Sequence, residues 1–187
     1  MKSIVIGVSL ALAVVGVLWA QNITKIDPPS PRVVSIAMAI DHGAKWLAST
    51  QGADGGFYFS TVNPEINKAG EADGHFASYG TATADGLLAF RAAGVPDHDV
   101  RSAKAIQWLK DHHKPDLAPG FEGTAREAWG SGLRFYYACA ISRAMPDLPV
   151  TLPPQDADGS FRNPNKMVKE DDPLIATAFA VHVLARL

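Results

Sequence analysis

The sequence predicts an all-α fold of outer and inner helices, and three observations carry that prediction. Some stretches alternate apolar and charged positions with helical periodicity, and others are apolar on nearly every side. The two kinds recur as pairs joined by a Gly-aromatic turn, which is the mark of a repeat architecture. Residues 33–187 hold the whole pattern, in about five main helices.

Residues 1–20 come first and set the compartment. Lys2 precedes an apolar stretch, residues 4–20, interrupted only by Ser9 and glycines, which reads as an export leader. Its length borders on that of a short membrane span, so the leader is either cleaved near Ala20 or kept as an N-terminal anchor. Export to the periplasm or the extracellular space is the expectation, with the membrane touched only through this segment. Residues 21–32, with Pro28, Pro29 and Pro31, suit a tether.

The outer helices are amphipathic. Ile36, Ile40, Gly43, Trp46 and Leu47 fall on one face, with Asp41, His42 and Lys45 outside it. Residues 100–110 repeat the theme, with Ala105, Ile106, Trp108 and Leu109 against Arg101, Lys104 and Lys110. The inner helices, residues 81–93, 131–143 and 173–187, carry few charges and are expected to be buried on most sides.

Internal repetition joins the two kinds. Trp46-Leu47 and Trp108-Leu109 stand 62 residues apart at equivalent points of two amphipathic stretches. Each is followed by a turn, Gly55-Gly56-Phe57 and Gly120-Phe121, and then by an apolar helix. A third turn, Gln155-Asp156-Ala157-Asp158-Gly159-Ser160-Phe161, duplicates the spacing of Gln51-Gly52-Ala53-Asp54-Gly55-Gly56-Phe57. Where its outer helix would lie stand Pro146, Pro149, Pro153 and Pro154, which cannot occupy a helix interior.

Composition narrows the function. With 17 basic and 19 acidic residues the chain offers no electrostatic case for nucleic acid. The single Cys139 excludes an intramolecular disulfide, and its setting among Phe135, Tyr136 and Tyr137 predicts a buried thiol. No phosphate loop, nucleotide-binding Gly pattern, nucleophile elbow or metalloprotease motif is present, so no cofactor is implied.

An aromatic-Leu helix end followed by Gln, Gly and an aromatic at set spacing resembles the Q–W motif of the terpene cyclase and prenyltransferase superfamily. Trp46, Leu47, Gln51, Gly55 and Phe57 meet it, Gln155, Gly159 and Phe161 meet it in part, and Trp108, Leu109, Gly120 and Phe121 meet it loosely. The resemblance covers residues 33–187 and implies an α/α toroid, in which inner and outer helices alternate around a cavity. The motif reads as a structural staple: a Gln amide ties backbone groups of adjoining helices, Gly turns the chain, and the aromatic packs over the turn. Two inner-outer pairs and a third unit without its outer helix fall short of a closed ring of that family. The chain is therefore either a short version that self-associates or part of a longer sequence.

The resemblance and the residues together name candidate sites. Inner-helix starts share one end of such an array, which brings Tyr79, Trp129 and Glu170-Asp171-Asp172 to one rim. Squalene–hopene-type cyclases protonate their substrate with an Asp-x-Asp-Asp element at an inner-helix start, which makes Asp171 and Asp172 the candidate acids here. Lys169 replaces the first acid of that element, and Asp172-Pro173 reads equally as a helix cap. His75 lies in the long segment 60–78 near Glu65, Glu71 and Asp73, either as an acid-base partner or in a solvated loop. Arg126 holds the corresponding place in the second unit. Asp85, a charge inside an apolar helix, must either bond a neighbouring helix or line the cavity.

Metal is not expected. The Asp-x-Cys pair of the zinc prenyltransferases would place Asp where Tyr137 stands, His112 and His113 do not share a helix face, and His182 reads as a core histidine. Three classes remain in order of preference: a binding module for an apolar small molecule or a protein partner, a cyclase using Asp171 or Asp172, and a polysaccharide-active toroid using His75, Asp85 or Arg126.

Overall fold

The computed structural model describes residues 31–61, 69–72 and 75–187. The leader, most of the tether, Glu65 and Asp73 lie outside the described residues. The chain divides into two compact units, residues 1–39 and 40–187. The described residues are mostly helical: six helices and one two-residue ladder.

Helix α1 (Pro31–Thr50) opens with a proline, whose missing N–H costs nothing in a first turn. Lys45 and Asp41 pair at 2.8 Å one turn apart, both well exposed, so solvent screens the contact and it adds little to the helix. The helix gives way at Gln51-Gly52 to the first turn. Strands β1 (Glu71–Ala72) and β2 (His75–Phe76) form an antiparallel ladder in which Glu71 faces Phe76 and Ala72 faces His75.

Helix α2 (Gly80–Ala92) begins hard against the second turn, since Gly80 donates to the Pro119 carbonyl at 2.9 Å. A Cβ at Gly80 would come within 2.5 Å of the Pro119 ring and 2.7 Å of Tyr137, so only glycine fits this contact. The helix ends in a Schellman arrangement: Val95 donates to Phe90 and Gly94 to Arg91, with Gly94 at φ +78°. Val95 then packs beside Phe90 in a small cluster with Ala44 and Phe57.

Helix α3 (Val100–His112) is capped by Asp99, which accepts from the Arg101 N–H at 3.0 Å. Ala105, Trp108 and Leu109 are its buried face, the face predicted by its periodicity. After the short α4 (Ala128–Gly132) comes α5 (Arg134–Ala144), apolar and almost wholly buried. Helix α6 (Pro173–Leu184) starts with Asp172 as cap, accepting from Leu174, and Pro173 in its first turn. Helix α2 packs against both α3 and α5, and α5 against α6. The main cluster gathers Tyr79, Leu87, Trp108, Leu109, Phe121, Tyr137 and Ile141, and Phe135 with Phe161 anchors a further one toward α6.

Three expectations need correction. On α1 the residues that pack are Ala44, Leu47 and Ala48, whereas Ile36, Ile40, Gly43 and Trp46 are exposed. The apolar stripe is there, but no helix among the described residues buries its far side. On α6 only Ala176, Ala180 and Val183 are buried, and Leu174, Val181 and Leu184 are at least half exposed. His182 is exposed as well, so it is not a core histidine. No helix among the described residues is long and apolar enough to cross a membrane.

Candidate functional site

The first turn is held from both sides. Gly52 donates to the Gly56 carbonyl and Gly55 to the Gly52 carbonyl, with Gly55 at φ +90°. The Gln51 amide donates to Gly55 O within the turn and, at 2.9 Å, to Arg101 O at the start of α3. The Phe57 N–H donates to Thr83 Oγ1 on α2. Gln51 therefore bridges two carbonyls of neighbouring segments, while the link to the apolar helix is made by a threonine that spacing alone does not single out.

Asp54 is the centre of this turn. Its Oδ1 accepts from the Gly56 N–H and the Ser78 hydroxyl, and its Oδ2 accepts from the Trp108 indole at 2.9 Å. The ring of His112 stacks on Trp108 with centroids 4.3 Å apart. These groups wall a cavity of about 330 Å³ with His75, Phe76 and Gly120. A second cavity of about 470 Å³ shares Ala53, His75 and Phe76 with it and continues to Gln51, Tyr58 and Glu71. Together they form one groove at the N-terminal end of α2, lined by none of Tyr79, Trp129, Glu170, Asp171 and Asp172, the residues expected to share a rim.

His75 borders both cavities, and its side chain is exposed. The acid-base pair imagined for it does not form with Glu71. Although both border the second cavity, they are not cross-strand partners: His75 pairs with Ala72 and Glu71 with Phe76. Asp54 has both oxygens engaged. Asp54 and Ser78 belong to no site motif, and Trp108 and His112 enter the sequence reading only as a repeat position and as half of a histidine pair, although Asp54 and Asp158 recur at the fourth place of the two Gln turns, a signal present in the sequence.

The other candidates scatter. Tyr79 is buried with its ring on Phe121, 5.2 Å between centroids, and burial pushes its hydroxyl up to about 12. Trp129 packs on the main cluster, and Arg126 sits half-buried in a turn where its N–H donates to Thr124 Oγ1. Asp85 both bonds a neighbouring helix and lines a cavity. It accepts from the Tyr136 hydroxyl of α5, and it faces a separate space of about 410 Å³ with Trp46, Phe57 and Phe59. Burial and the Asp85 carboxylate both push the Tyr136 hydroxyl upward.

The acidic trio divides by role. Glu170, only 2 % exposed, accepts from the backbone N–H groups of Phe135 and Tyr136 and from the Asn163 amide, each at 2.9 Å. It caps α5 from 35 residues away in sequence, and burial holds its carboxyl above the ordinary range. Asp172 caps its own helix, and neither Asp171 nor Asp172 lines any of the three cavities described. The left-handed backbone at Lys169, φ +65°, turns the chain between Asn163 and the start of α6.

Cys139 is buried on α5, which pushes its thiol up, and Tyr137 bonds His113 Nδ1 at 2.9 Å. Among the described residues no three His, Cys, Asp or Glu side chains converge as a metal site would require. Compared with known proteins, the chain matches no family model, no curated protein and no solved structure.

Proposed function

We propose that the chain is an exported binding module, a partial α/α toroid of the kind seen in terpene cyclases and prenyltransferases, whose ligand sits in the groove around His75. One observation carries this reading: two adjoining cavities share Ala53, His75 and Phe76 at the N-terminal end of α2. Their walls mix apolar and aromatic groups with a few polar ones, the composition of small-molecule sites. The ligand class is a small, largely apolar molecule with one group able to bond the His75 imidazole. Binding is favoured over catalysis because Asp54, the carboxylate of the first cavity, is committed to three donors, and Glu71, that of the second, makes no bond to His75.

Titration with anilinonaphthalene sulfonate, followed by nitrogen-resolved NMR, tests this. Saturable shifts are expected at Ala53, Phe76, Ser78 and the Trp108 indole. Phe76→Ala should weaken the probe about tenfold, in line with loss of a contacting aromatic ring. Shifts confined to the exposed side of α6, indifferent to Phe76→Ala, would reject the groove as the site.

A further inference from the structure

We infer that copies of this chain associate head to tail, with the Trp46 end of α1 in one copy docking on turn 155–161 and α6 of the next. The inference rests on a repeat visible atom by atom. In turn 155–161 Asp156 donates to the Ser160 carbonyl and Gly159 to the Asp156 carbonyl, as Gly52 and Gly55 do in turn 51–57. Gly159 takes φ +87° where Gly55 takes +90°. Gln155 donates to Gly159 O as Gln51 does to Gly55 O, and Phe161 donates to Thr177 Oγ1 as Phe57 does to Thr83 Oγ1. Asp158 Oδ1 accepts from the Ser160 N–H, the counterpart of Asp54 and Gly56.

What differs is the covering. The first turn and α2 are covered by α3, through Gln51 to Arg101 O and through the Trp108 indole to Asp54 Oδ2. Around the third turn Gln155 and Asp158 are exposed, and among the described residues Asp158 Oδ2 meets Arg162 at 3.7 Å in place of an indole. Beside it α6 shows Leu174, 78 % exposed, with Val181 and Leu184. At the other end of the array stands an outer helix with the opposite deficit. Trp46 is the repeat counterpart of Trp108, yet it is 58 % exposed where Trp108 is 4 %.

The missing partners match. Among the described residues the third turn is covered by no Trp-bearing helix and the helix of Trp46 covers no turn, so the two complete one another between copies, with the indole of Trp46 donating to Asp158 Oδ2 as that of Trp108 donates to Asp54 Oδ2. The apolar residues Ile40 and Trp46 then cover Leu174 and Val181. Such an interface joins two different surfaces, so it closes into a ring or propagates.

Cross-linking reads the geometry. Full-length Trp46→Cys and Asp158→Cys chains, each also carrying Cys139→Ser, are mixed under mild oxidation. Disulfide-linked heterodimer should exceed the homodimer of either variant alone several-fold. Sedimentation of the full chain should show concentration-dependent association that Leu174→Asp weakens about tenfold with unchanged helix content. A chain that sediments as a monomer at every concentration overturns the inference, and so does cross-linking of Trp46→Cys to itself at least as fast as to Asp158→Cys. Association unaltered by Leu174→Asp overturns it as well.

Discussion

The turns at 51–57 and 155–161 have the same internal bonds and different fates. One is wrapped between α1, α2 and α3, and the other lies open at the edge of α6. Their internal bonds are alike because Gln, Asp, Gly and Phe recur at the same places, so the local shape is a property of seven residues. The difference teaches that the outer helix adds no shape to the turn. It adds burial, a second acceptor for the glutamine and a donor for the aspartate. Where the third unit's own outer helix would precede its turn, the segment between Met145 and Asp172 supplies another device, a single buried glutamate that caps α5.

The largest test of this contrast is Glu170→Ala. It leaves two helix N–H groups without their acceptor in a dry site and takes from the Asn163 amide one of its acceptors, a loss of about 3 kcal/mol in urea unfolding. The pH dependence sharpens it. Because burial raises the folded-state pKa of Glu170, the folded chain takes up this proton before the unfolded one. Its contribution to stability is full below about pH 4, the unfolded value, and is lost as pH rises through the raised folded value. Glu170→Gln should flatten that part of the stability curve; a curve of unchanged shape means that the carboxyl is not the group responsible.

Next comes the threonine staple. Thr83→Val strands the Phe57 N–H in a fully buried setting and should cost about 2 kcal/mol, while Thr177→Val, at the half-buried Phe161 N–H, should cost about 1. Equal losses in thermal unfolding would break the comparison between the two turns. The smallest effect separates the glutamines. Gln51→Ala removes two bonds and should cost about 1 kcal/mol, whereas Gln155→Ala removes the one to Gly159 and should cost a few tenths.

Much of this fold is legible in the sequence. Periodicity locates α3 and its buried face, the near absence of charge locates α2, α5 and α6, and the Gln turns announce their own repetition. What periodicity cannot report is whether a neighbour exists. Ile40 and Trp46 of α1, or Leu174 and Val181 of α6, look as core-like as Ala105 and Leu109, and only the arrangement of the array decides which are covered. The candidate groove was half legible. His75 stood out as a histidine in a long segment, but Asp54 and Trp108 meet across 54 residues of chain, and no local pattern joins them. Glu170 carried its signal in the wrong place, since it sits beside α6 in sequence and serves α5 in space.

The threonine staples also bear on the order of folding. The bond from Phe161 to Thr177 closes a loop of 16 residues, whereas that from Phe57 to Thr83 closes one of 26. The shorter loop forfeits about 0.4 kcal/mol less chain entropy on closing. The open C-terminal turn, poorest in partners once the chain is folded, is therefore the cheaper of the two to form from the unfolded chain.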